Sequence, residues 1–87
     1  MKETEDLAYV LRGKNRIKVL KALNEKKLIS KQIEKETGMY KSHVSRTLKE
    51  LLERKLITCI NQKDRSFKFY KLTSMGTKLI NSLNKMV

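Results

Sequence analysis

The sequence predicts a mainly α-helical domain that carries one small β-hairpin, an α+β arrangement in a single unit. Three observations predict it. Apolar residues recur at helical spacing, most clearly Val44, Leu48, Leu51 and Leu52. Between residues 56 and 72, two runs rich in β-branched and aromatic residues flank a polar stretch, as two strands flank a turn. The 87 residues leave room for one domain, 1–87, able to bury about 60–65% of the unfolded chain's surface.

The first helix comes from Leu7, Ala8, Val10 and Leu11 and ends by Gly13, after an acidic start at Glu3, Glu5 and Asp6. Asn15 is placed to cap a second helix over residues 16–24, with Ile17, Val19, Leu20 and Leu23 as its apolar stripe. Residues 30–54 then read as two helices joined by a tight turn. Ser30 caps the first of them, Gly38 supplies the positive φ at its end, and Met39 plugs the turn. Two short helices so joined form a helix-turn-helix, whose second helix can enter a DNA major groove.

In the hairpin, Leu56–Ile60 and Phe67–Leu72 are the strands and residues 61–66 the tip. Phe67 and Phe69 point to one face, Tyr70 and Leu72 to the other. Core packing is the favoured role for the phenylalanines, ahead of stacking on unpaired bases. Thr73 caps a last helix over 74–86, whose stripe is Met75, Leu79, Ile80, Leu83 and Met86. That stripe either folds back on the core or forms a two-fold contact. The small core favours dimerisation through Leu79, Ile80, Leu83 and Met86.

Composition bounds the chemistry. The chain carries 21 Lys and Arg against 9 acids, a net +12 that draws polyanions unless it is only a solubility surface. Cys59 is the one cysteine, so no internal disulfide and no cysteine-rich metal site are expected, and a small buried hydrophobe is its favoured role. His43 is the single histidine. No catalytic constellation, cofactor or metal site is expected, and an enzyme is not. Without an apolar leader or membrane span, a cytoplasmic protein is expected.

The segment 30–54 resembles the DNA-binding core of prokaryotic winged helix-turn-helix transcription regulators of the ArsR and MarR type. Ile33, Thr37, Gly38, Met39, Val44, Leu48 and the run Val44-Ser45-Arg46 carry the likeness. Leu72-Thr73-Ser74-Met75-Gly76 adds the Leu-Thr-x-x-Gly element that closes the wing in MarR-like proteins. Glu34 and Tyr40 depart from the pattern, standing where alanine and a capping serine are usual. The resemblance makes the hairpin a wing and Leu28-Ile29 a strand stub on its edge. It also implies that the N-terminal helix, through Leu7, Val10 and Leu11, joins a dimer interface; a lid on the domain's own core is the equal alternative. ArsR-like metal sensing does not carry over, because the ligands are missing.

With Val44, Leu48 and Leu51 buried, Ser42, His43, Ser45 and Arg46 become the candidates for base contact. Arg46 either bridges O6 and N7 of guanine or clamps a phosphate. Lys14, Arg16, Lys31, Tyr40, Lys41 and Lys49 are the backbone candidates, and Lys63 and Arg65 those of the wing tip. The expected protein is a homodimeric regulator, a repressor on a pseudo-palindromic site in double-stranded DNA. A sequence-indifferent architectural DNA binder is the alternative.

Overall fold

A computed structural model gives the structure, described here for residues 2–64 and 67–85. Five helices and one antiparallel hairpin follow in the order α1 (Lys2–Leu11), α2 (Lys14–Ala22), α3 (Ser30–Thr37), α4 (Lys41–Glu53), β1 (Ile57–Cys59), β2 (Tyr70–Leu72) and α5 (Ser74–Lys85). The helix α2 is the hub, packed against α1, α3, α4 and α5. Its Val19, Leu20 and Leu23 meet Ile33, Val44, Leu48 and Leu51 from the helix-turn-helix in one closed core. Truncating such a side chain to alanine costs about 2–5 kcal/mol.

The turn between α3 and α4 is held by local chemistry. Gly38 takes φ 72° and its N–H donates to the Glu34 carbonyl at 2.8 Å. The Thr37 hydroxyl donates to the Ile33 carbonyl at 2.6 Å and accepts from the Met39 N–H at 3.2 Å. Met39, 8% exposed, fills the space beneath. Two caps differ from expectation. Ser30 lies inside α3, and the helix begins one residue earlier because Gln32 Oε1 reaches back to accept the Ile29 N–H at 2.9 Å. Gly13 flanks α2 with no side-chain cap, so Asn15 falls within the helix instead of capping it.

The hairpin pairs Ile57 with Leu72, Thr58 with Lys71 and Cys59 with Tyr70. Leu28 forms the anticipated edge stub, exchanging backbone hydrogen bonds of 3.0 and 2.8 Å with Tyr70. Burial pushes the Tyr70 phenol above its ordinary value near 10, and neighbouring Cys59 adds to the shift. Cys59 itself is half-buried, with Sγ 3.9 Å from Asn61 Oδ1. The strands are shorter than expected because Asn61 organises a longer tip: its side chain bonds the Phe67 carbonyl and the Phe69 N–H. Phe67 is 58% exposed and stands outside the core, contrary to the packing role expected of it.

Thr73 caps α5 as expected, its hydroxyl accepting the Gly76 N–H at 3.2 Å and donating to the Lys55 carbonyl at 2.7 Å. Gly76 is a point of close approach, where a Cβ would run into the Leu56 carbonyl oxygen. The stripe of α5 turns inward. Leu79, Ile80 and Leu83 are 6%, 1% and 6% exposed, and Val10 of α1 is fully buried. These four side chains, assigned above to a dimer contact, complete the chain's own core. They are buried there because α5 packs across α1, α2 and β2, which leaves these positions inside the domain. Leu7 is half-buried, Leu11 is exposed, and Met86 lies outside the described residues.

Candidate nucleic-acid interface

Burial of Val44, Thr47, Leu48 and Leu51 fixes which side of α4 faces water. At about 100° per residue, the opposite side must carry the residues between them. Ser42, His43, Ser45, Arg46 and Lys49 are all exposed there, as is Lys41 in the first turn. Tyr40 flanks the helix start, 77% exposed, and its ring meets the His43 imidazole edge-on at 5.9 Å. It makes no side-chain cap bond. The first amides of α4 therefore face outward with the positive end of the helix dipole behind them, an arrangement that suits an anion.

A shallow depression lies between the start of α2 and the outer side of α4. Lys14, Asn15, His43 and Arg46 line it, with Thr47 and the Arg16–Glu50 pair. The structure thus brings Lys14 to His43 and Arg46 across about thirty positions of sequence. Asn15 belongs to this group and was missed, because its cap propensity suggested a structural role. Its side chain offers a donor and an acceptor beside the recognition helix. Lys31 is exposed on the first turn of α3 and Lys63 on the wing tip; Arg65 lies outside the described residues.

Arg16 is the exception among the assigned phosphate ligands. Its guanidinium grips Glu50 with Nη2–Oε2 at 3.2 Å and Nε–Oε1 at 3.4 Å, while Nη1 donates to the Tyr9 carbonyl at 2.6 Å. Its Cζ stacks 3.7 Å from the Tyr9 ring centroid. Arg54, the residue that ends α4, stacks on the same ring at 3.9 Å and pairs with Asp6 at 3.3 Å. Arg16 therefore fastens α1 and α2 to α4, and its donors are engaged within the chain. Glu50, four residues after Arg46, is the acidic partner that holds it.

An outward-facing helix, a flanking hairpin and exposed cations with no ion pair among the described residues, over a closed core, define the winged helix-turn-helix class. The chain has the fold of solved regulators of the ArsR and MarR types. It matches the transcriptional repressor BigR of Xylella fastidiosa with a TM-score of 0.80 at 22% identity, covering 97% of this chain and 82% of that one. It matches Staphylococcus aureus MepR, solved as a DNA complex, at TM-score 0.76 and 24% identity over 98% of this chain and 72% of that one. With a mutant of Lactococcus lactis ZitR the TM-score is 0.75 at 19% identity over 84% of this chain, which spans only 51% of that protein's length. No curated protein matches. The model of the HVO_A0261 N-terminal domain family matches residues 4–87, and the chain belongs to that family.

Proposed function

We propose that the chain is a sequence-specific DNA-binding transcription regulator, acting as a homodimeric repressor on a pseudo-palindromic duplex site. The observation that carries this reading is the outer side of α4, where Ser42, His43, Ser45 and Arg46 stand exposed and the last of them, with His43, shares a depression with Lys14. The N-terminal half of such a helix reads base edges, with flanking cations on phosphates. Arg46 is assigned to base readout; Lys14, Lys31, Tyr40, Lys41 and Lys49 hold the backbone, and Lys63 and Arg65 extend the grip from the wing. BigR is a repressor and MepR is solved on DNA, which supports the same direction. The dimer contact is assigned to the outer rims of α1 and α5, around Leu7 and Leu11, since the deeper positions are occupied by the chain's own core.

Roughly six to ten phosphate contacts per complex make affinity fall about 10³- to 10⁵-fold between 50 and 200 mM salt. Selection of duplexes from a random pool tests specificity, and sedimentation on and off DNA tests the dimer. Exposed lysines outside α4, among them Lys18, Lys21, Lys71 and Lys85, favour a second reading as an architectural binder. Footprinting separates the two: a discrete protected site supports the regulator, uniform coverage the architectural protein.

A further inference from the structure

The outer face of the hairpin takes no part in the duplex contacts assigned above. Ile60 donates its N–H to the Phe69 carbonyl at 2.9 Å, so the pairing of β1 with β2 continues one step toward the tip. Strand alternation then puts Thr58, Ile60, Phe69 and Lys71 on one side, with Ile57, Cys59, Tyr70 and Leu72 on the other. Ile57, Tyr70 and Leu72 pack on the core, which leaves the first set facing away from it. Ile60 is 49% exposed, and Lys27, Lys71 and Thr77 line an open depression with it. Lys27 lies over the Phe69 ring, its Nζ 5.1 Å from the centroid. Phe67 stands two residues nearer the tip and is 58% exposed, yet its backbone is fixed at both ends. Its N–H donates to Asp64 Oδ1 at 3.3 Å, and its carbonyl accepts from the Asn61 side chain.

We infer that this face binds single-stranded nucleic acid. Phe67 stacks on an unpaired base, Ile60 adds apolar contact, and Lys27 and Lys71 hold the flanking phosphates. An exposed ring on a pinned backbone loses little freedom when a base settles on it. In a duplex the base faces are covered by their neighbours, so a flat ring of this kind is met by unpaired bases alone. The described acid in the depression is Glu25, and Lys26 is paired with Glu36, which leaves Lys27 and Lys71 for a polyanion. An acidic peptide would also satisfy the lysines, but it needs a pocket for an apolar anchor. Here Leu23 is already buried and Ile60 stands out on the surface. The face is separate from the surfaces assigned above. Arg46 belongs to α4, and at about 100° per residue Thr77 falls on the side of α5 turned away from Met75, Leu79 and Leu7. The single-strand site therefore stands independently of the duplex reading.

Fluorescence anisotropy of the full chain with a labelled thymidine oligonucleotide of about twelve nucleotides tests the site. An abasic strand of equal length keeps the phosphates without the bases and should bind about fivefold or more weakly. Phe67→Ala should weaken the thymidine strand by a similar factor. Duplex affinity should stay within about twofold and thermal unfolding should be unchanged, because the ring lies outside the core. Arg46→Ala should do the reverse, lowering duplex discrimination while sparing the single strand. The chain has no tryptophan, so the fluorescence of the Phe67→Trp variant reports this position alone. The thymidine strand should quench it, and a duplex of the same length should not. Equal affinity for the abasic strand, equal displacement by polyglutamate of the same charge, or full binding by Phe67→Ala overturns the site. So does sedimentation in which Phe67→Ala dissolves a dimer, which would make this face a contact between copies. A chain that binds no duplex but holds the thymidine strand through Phe67 overturns the regulator reading and supports the single-strand site. A duplex binder indifferent to single strands does the opposite.

Discussion

The two ends of α4 use the same kind of residue in opposite ways. Toward the N-terminal end, Lys41 and Arg46 stand in solvent, and Arg46 shares a depression with Lys14. Past the C-terminal end, Arg54 is stacked on Tyr9 and tied to Asp6, and Arg16 joins it on the same ring while gripping Glu50. One end is open to an external polyanion; the other has its charges matched by partners inside the chain. In a chain with a net charge of +12, exposure alone singles out no cation; Arg16 and Arg54 differ from Lys14 and Arg46 in having an acid of the same chain against them.

The largest test of this contrast is ionic strength. The open end should make duplex affinity collapse by the 10³- to 10⁵-fold given above, whereas urea unfolding of the free protein should change far less over the same salt range. A flat binding curve would remove the contrast altogether. Next comes Arg16→Ala, which leaves Glu50 half-buried without its partner and removes a cation from the Tyr9 face. Chemical denaturation should register a loss of about 2–3 kcal/mol, discounted from a fully buried pair because both side chains keep some solvent contact. DNA affinity of the folded protein should stay within about twofold; a large loss there would return Arg16 to the list of phosphate ligands.

Arg46→Ala should do the reverse. Stability should hold within about 0.5 kcal/mol, while discrimination between preferred and mismatched duplexes falls by about 1–3 kcal/mol in competition binding. Lys63→Ala, at the wing tip, should have the smallest effect, weakening all duplexes alike and reducing the salt slope by about 1. A pH series sharpens the comparison from the hairpin side. The Tyr70 phenol is raised in the folded state, so its contribution is present below the unfolded value near 10 and is lost as pH climbs through the higher folded value. Thermal melts should therefore decline above pH 10 rather than below it.

Local rules made the helix-turn-helix legible in the sequence. The spacing of Ile33, Val44, Leu48 and Leu51 fixes the buried face of α3 and α4, Gly38 fixes the turn, and Thr73 with Gly76 fixes the junction with α5. Those signals act within a few residues of themselves. What stayed hidden depends on distance. Arg16 reads as a surface cation until Glu50, 34 positions away, is brought against it. The stripe of α5 has the same period whether it covers its own core or a second chain, and the choice depends on how much apolar cover the hairpin and α2 leave open. Asn61 reads as one polar residue among several, although its two bonds across the tip set the length of the strands.

The missing side chain at Gly76 has a consequence for protein engineering. Because α5 lies directly on the backbone at the foot of the hairpin, the finger and the last helix pack as one unit. A chimera that borrows the recognition helix and finger but ends before residue 74 would leave Leu56 and Ile57 without their lid. The smallest graft that keeps its shape must bring the last helix with it.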